Sequence, residues 1–193
     1  MAPGVVIGIT GATGVVYGVR ALELLREAGV ATHLVVSRAG GMTRAYESEL
    51  SAQRLRELAD VYYPVGDLGA SIASGSFRTL GMLVAPCTVN TLAEIANGLS
   101  GDLLTRAADV TLKERRPLVL MVRETPLTAI HLRNMQRVTE AGGIVAPPVP
   151  AFYAAPRSLD EMVTQSVARA LDLFGLDLVP SRWRDEDRVN LAE

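Results

Sequence analysis

Val5-Val6-Ile7-Gly8-Ile9-Thr10-Gly11-Ala12-Thr13-Gly14 leads directly into the amphipathic stretch Val15–Ala28, and that junction decides the fold. The apolar run is short and rich in branched side chains, as a strand buried on both faces should be. A glycine-rich turn from such a strand into a helix is the first step of an α/β protein. Glycines let the backbone approach an anion, and the helix N-terminus presents N–H donors and the positive end of a dipole. The turn therefore suits a phosphate group, although many α/β proteins place glycines there only to make the turn.

The same step recurs along the chain. Val5–Thr10, His33–Ser37, Met82–Pro86, Pro117–Val122 and Ile144–Pro148 read as buried strands. Val15–Ala28, Ala52–Ala59, Thr91–Asn97, Leu103–Arg115, Thr128–Glu140 and Ser158–Phe174 read as helices between and after them. This alternation predicts a three-layer, doubly wound parallel sheet, Rossmann-like or flavodoxin-like, with helices on both faces. Its ligand site is expected beyond the carboxyl ends of the strands. No internal repeat interrupts the pattern. The charge run Arg182–Arg188 reads as a solvated end.

Composition narrows the classes. The 193 residues fit one domain, expected to span 1–193, and a chain of this size buries about 70% of its unfolded surface. Hydrophobic residues at 49% against 21% charged ones argue against a disordered chain. A net charge of −2 argues against a nucleic-acid partner reached through a basic surface. One cysteine rules out an internal disulfide and fits a reducing compartment, so the cytoplasm is expected. No apolar stretch approaches the roughly 20 residues that cross a bilayer, so no membrane role is expected. Lys113 is the only lysine among 19 basic residues, so either the composition has drifted to arginine and passed over one lysine or an ammonium is needed there.

Hydroxyls mark the next strand tips. Ser37 ends the second strand, and Thr88-Val89-Asn90-Thr91 follows the third; each hydroxyl either binds a polar ligand or caps the helix after it. Ser74-Gly75-Ser76 is expected to close over the same ligand. Arg123 and Glu124 stand at the end of the fourth strand, where a cation beside a carboxylate suits acid–base work, anion binding or simple ion pairing. Arg115 and Arg116 are expected to face solvent. Pro147-Pro148-Val149-Pro150 forms a stiff segment that positions Phe152 and Tyr153, each either core or, for Tyr153, a phosphate ligand. His33 and His131 lack metal-ligand company and read as structural, and Cys87 reads as a packed hydrophobe.

Several stretches together resemble one family. They are Gly8-Ile9-Thr10-Gly11-Ala12-Thr13-Gly14, Ser74-Gly75-Ser76-Phe77, Leu103–Val110, Leu112–Leu120, Val122-Arg123-Glu124-Thr125-Pro126-Leu127 and Pro148-Val149-Pro150-Ala151-Phe152-Tyr153. In order and spacing the chain resembles the flavin prenyltransferases of the UbiX family, including the B components of hydroxyarylic acid decarboxylase systems, from Val5 to about Trp183. The resemblance implies transfer of a dimethylallyl group from dimethylallyl phosphate to N5 and C6 of reduced FMN. The product, prenylated FMN, would serve a UbiD-type decarboxylase. It also implies a metal-free enzyme and a homo-oligomer, a dodecamer with sites between subunits. Gly11, Ala12, Thr13, Ser37, Thr88, Val89, Asn90, Thr91 and Arg123 would hold FMN. Tyr153 and Arg169 would hold the prenyl phosphate, with Lys113, Arg106 and Glu47 close by and Glu124 as acid–base residue. Thr13 and Thr88 replace the serines common in the family and keep the hydroxyl; Asn90 replaces a frequent lysine.

The chemistry agrees with that set. Breaking an allylic C–O bond releases an anion, and without magnesium fixed cations must stabilise it; Lys113, Arg106, Arg123 and Arg169, with Tyr153, are available. No Asp-Asp-x-x-Asp run is present. Short-chain dehydrogenases share the glycine turn but need a Tyr-x-x-x-Lys pair, and Asp109 stands four residues before the only lysine. Flavoproteins that decarboxylate a peptidyl cysteine carry a Pro-x-Met-Asn-x-x-Met-Trp run, which this chain lacks. The alternative from another class is a non-catalytic FMN-binding subunit of an aromatic acid decarboxylase complex.

Overall fold

Every expected strand and helix is present in the structure, a computed structural model that describes residues 3–183. In chain order run β1 (Gly4–Ile9), α1 (Val15–Glu27), β2 (Thr32–Val36), α2 (Arg38–Glu47), α3 (Ala52–Glu57), β3 (Val61–Tyr63) and β4 (Thr79–Cys87). There follow α4 (Val89–Ala96), α5 (Leu103–Lys113), β5 (Leu118–Val122), α6 (Ala129–Glu140), β6 (Ile144–Val145) and α7 (Leu159–Asp172). The strands pair in the order β3-β2-β1-β4-β5-β6, all parallel, which is the doubly wound order of the dinucleotide-binding sheets. Residues 184–188 of the charged run lie outside the described residues.

The two-residue period of β1 sorts the layers. Val5, Ile7 and Ile9 join Leu22 and Leu25 of α1, Leu55 of α3 and Val163, Val167 and Leu171 of α7 in one core. Val6 points the other way, into a core shared by Leu92 of α4, Leu103 and Leu104 of α5 and Val138 of α6. Leu22 and Leu25 are fully buried, and each such leucine contributes about 1.5–3 kcal/mol. Cys87 is buried too, and desolvation pushes its thiol well above the ordinary range, as a packed hydrophobe requires.

Five details differ from the sequence reading. The third expected strand is longer, starting at Thr79, and the last is shorter, stopping at Val145. Pro147 and Pro148 carry no N–H to extend a ladder. The short edge strand β3 and the helix α2 were not expected. Arg116 does not face solvent: its side chain is 17% exposed and grips a neighbouring loop. Among the described residues no helix is long and apolar enough to cross a membrane.

Candidate active site

Where β1 and β4 lie side by side, α1 leaves toward one face and α4 toward the other, which opens a crevice at the carboxyl ends of the strands. Thr10 ties the two strand tips together. Its buried hydroxyl donates to the Pro86 carbonyl at 2.8 Å and accepts the Thr88 N–H at 2.9 Å. The hydroxyls beyond it cap helices: Ser37 accepts the Gly40 N–H at 3.0 Å, and Thr88 accepts the Thr91 N–H at 3.0 Å. Thr88 also donates to the Thr91 hydroxyl at 3.0 Å, and the Asn90 amide donates to Glu94 at 3.0 Å.

The N-terminus of α1 has no cap of its own, because Gly14 precedes it with φ 99° and no side chain. Glu47, the last residue of α2, supplies one from outside. Its carboxylate accepts the Gly14 N–H at 2.8 and 3.1 Å and the Val15 N–H at 3.0 Å. Arg123 closes the group by donating to the Thr13 carbonyl at 2.8 Å. Partial burial pushes the Glu47 carboxyl upward, but the Thr13 side chain, the two N–H groups and the Arg123 charge outweigh it. The net result lies below the ordinary carboxylate range. The turn offered to a phosphate thus has two of its donors on the chain's own carboxylate. Glu124 is exposed beside Arg123 and accepts the Thr125 N–H at 3.0 Å. Gly11 and Ala12 are half-buried on the same rim, and Val89 begins α4 across from them.

Lys113 and Arg106 lie elsewhere. The C-terminus of α5 leads down to the start of β5, so Lys113 is at the amino ends of the strands. It pairs with Glu114 and stands beside Gly75. Arg106 donates to the Ala73 carbonyl at 3.3 Å and to Asp109 at 2.7 Å. The Ser74-Gly75-Ser76 loop, which immediately precedes β4, therefore packs by Lys113 and does not close over the carboxyl-end crevice. Chain direction imposes this, since a segment entering a parallel strand arrives at its amino end.

Tyr153 and Arg169 meet in a third place, a cleft of about 330 Å³ between the β6 edge and α7, lined also by Met121, Ala146 and Ser166. Arg169 pairs there with Asp172 at 2.8 Å, and Tyr153 meets Trp183 edge-on at 5.6 Å. Within one chain, then, Tyr153 and Arg169 come together, Glu47 and Arg123 come together, and Lys113 with Arg106 stands apart from both. His33 stacks on Tyr63 and meets Phe77 edge-on, and His131 completes the capping box of α6, both structural roles. Among the described residues no group of three or more His, Cys, Asp or Glu side chains is placed to hold a metal ion.

Reading the residues alone did not find Glu47, because it closes a helix that was not expected, nor Thr10 as the tie between strand tips. Glu114 carries no sequence signal of its own, and Arg116, which the sequence places in solvent, holds the Gly75 loop instead.

Comparison with known proteins gives this arrangement a context. A sequence model of the Flavoprotein family matches residues 2–171. The flavin prenyltransferase UbiX of Neisseria meningitidis serogroup B is 59% identical over 180 residues, covering 93% of this chain and 95% of that one. Among solved structures, AnUbiX (PadA1) in complex with FMN and dimethylallyl pyrophosphate superposes with a TM-score of 0.92 at 48% identity, over 95% of this chain and 98% of that one. A dodecameric FMN-dependent UbiX-like decarboxylase from Escherichia coli O157:H7 gives 0.89 at 48% identity, over 93% and 98%.

Proposed function

The chain belongs to the Flavoprotein family, among the UbiX flavin prenyltransferases, and on that footing we propose how its own residues divide the work. The reaction is transfer of a dimethylallyl group from dimethylallyl phosphate to reduced FMN, with prenylated FMN passing to a UbiD-type decarboxylase. We assign FMN to the carboxyl-end crevice. Its donor set suits a phosphate-bearing flavin: Gly11, Ala12 and Thr13 on the turn, Ser37 and Thr88 to Thr91 at the neighbouring tips, and the Arg123 guanidinium. The observation that carries this assignment is the meeting of Glu47 and Arg123 at the N-terminus of α1, where a negative group already lies on main-chain N–H donors. Bound there, reduced flavin supplies the nucleophilic N5 and C6.

The remaining residues handle the leaving group and the proton. Lys113, Arg106, Arg169 and Tyr153 offer the positive charge and donors that draw phosphate from the allylic carbon; one well-aimed donor is worth about 3–4 kcal/mol of barrier. Glu124 stands at the strand tip to accept the proton that substitution at C6 releases. Because Lys113 and Arg106 lie at the opposite end of the sheet from Arg123, we place the working site between copies of the chain, in a homo-oligomer such as the dodecamer of the E. coli relative. We place the enzyme in the cytoplasm as a single domain that uses no metal.

The test is anaerobic incubation with reduced FMN and dimethylallyl phosphate, followed by mass spectrometry of the extracted flavin. A flavin heavier by one C5 unit is the expected result. Unmodified FMN in folded protein would favour the carrier subunit instead.

A further inference from the structure

Lys113 is held by neighbours that the prenyl-transfer chemistry does not itself call for. Adjacent residues on a helix do not face one another, so Lys113 and Glu114 pair only because α5 ends between them. Glu114 is the C-cap, and Arg115 follows in the left-handed conformation at φ 57°. The Arg115 N–H donates to the Leu112 carbonyl at 3.0 Å and the Arg116 N–H to the Thr111 carbonyl at 3.0 Å, the double bond pattern of a Schellman turn. This turn swings Arg116 back under the helix. Its guanidinium then donates to the Gly75 carbonyl at 2.8 Å and the Phe77 carbonyl at 2.7 Å, and approaches Glu114 at 4.0 Å.

One cation therefore holds the loop by two hydrogen bonds and stands at ion-pair distance from the carboxylate that pairs with Lys113. Gly75 completes the unit. A Cβ there would stand 2.6 Å from the Lys113 ammonium nitrogen and closer still to the Glu114 carboxylate. Any side chain at this position displaces both charged heads, while the loop backbone is held by Arg116. An exposed ion pair adds little stability by itself.

We propose that Glu114, Arg116 and Gly75 are positioning residues that aim the Lys113 ammonium at the prenyl phosphate, Gly75 by leaving the space that the lysine head occupies. This rests on the assignment of Lys113 to the leaving phosphate. It extends that assignment to three residues that do not touch the substrate.

The test is a double-mutant cycle on the intact oligomer, with kcat and KM for dimethylallyl phosphate measured beside FMN content. Lys113→Leu is expected to lower kcat/KM about 100-fold or more, the usual loss for one leaving-group donor. Gly75→Ala is expected to lower it about tenfold and raise KM while FMN binding is kept. The cycle decides whether that loss acts through Lys113: the Gly75→Ala, Lys113→Leu double variant is expected to be no worse than Lys113→Leu alone. Arg116→Gln supplies a second cycle with the same expectation. Losses that multiply in the double variant, or a Gly75→Ala enzyme with unchanged kcat/KM, overturn the clamp and leave Lys113 in its role. A Lys113→Leu enzyme with unchanged kcat/KM removes the assignment beneath it, and the clamp with it.

Discussion

Glu47 shows what one side chain gains from its place. As the sequence stands it is an acidic residue in an exposed segment, yet the fold lays its carboxylate on the bare N-terminus of α1 with Arg123 nearby. Such a carboxylate at a surface helix end is worth about 0.3–1 kcal/mol, less in high salt. Its folded pKa is depressed, so its contribution is complete above the ordinary value of 4.5 and is lost as pH falls through the lower folded value. Glu47→Gln keeps an oxygen acceptor but removes the charge. Urea denaturation across a pH series should show the variant about 0.3–1 kcal/mol less stable at neutral pH, with the gap closing below the ordinary value. A gap of constant size down to about pH 3 would mean that the charge on Glu47 contributes nothing. Ser37 and Thr88 teach the complementary lesson, for their hydroxyls were legible as caps or ligands and the helices take them as caps.

Helix ends carry much of the remaining detail. The helix α2 escaped the sequence reading because Gly40-Gly41 sits within it, and each glycine costs a helix about 1 kcal/mol relative to alanine. Packing requires the first of them. A Cβ on Gly40 would stand 2.6 Å from the Ile9 carbonyl, so only glycine lets α2 lie against the tip of β1 and bring Glu47 to α1. At the end of α5 the opposite choice is made, with arginine rather than glycine at the left-handed position of the Schellman turn. The strain of a side chain there exceeds what glycine loses through its freer unfolded chain. Arg115→Gly should therefore stabilise the protein by about 0.5–1 kcal/mol, seen as a rise of roughly 1–4 °C in thermal midpoint. An unchanged or lower midpoint would show that the arginine side chain makes compensating contacts.

At the level of the molecule, chain direction distributes the proposed site. The strand β5 alone covers about 16 Å, with Lys113 before its start and Arg123 after its end. Tyr153 and Arg169 lie at the β6 edge, on the face opposite α5. If one site draws Lys113 and Arg123 from different copies, Lys113→Leu and Arg123→Leu proteins should each be strongly impaired alone. Subunit exchange between them should restore about a quarter of the sites. Full subunit mixing, verified by mass spectrometry, with no recovered activity would place both residues in one copy's site. The alternation of short apolar runs with amphipathic stretches sufficed to determine the layered parallel sheet, because a strand or helix advertises its buried face through local periodicity. The glycine turn after β1, the hydroxyls at the tips and the lone lysine were equally visible, since each is a residue type in a short context. What meets what was decided only by the tertiary structure. Glu47 reaches Gly14 across 33 residues and Arg116 reaches Gly75 across 41, and such contacts depend on how close approach and strand direction bring distant segments together.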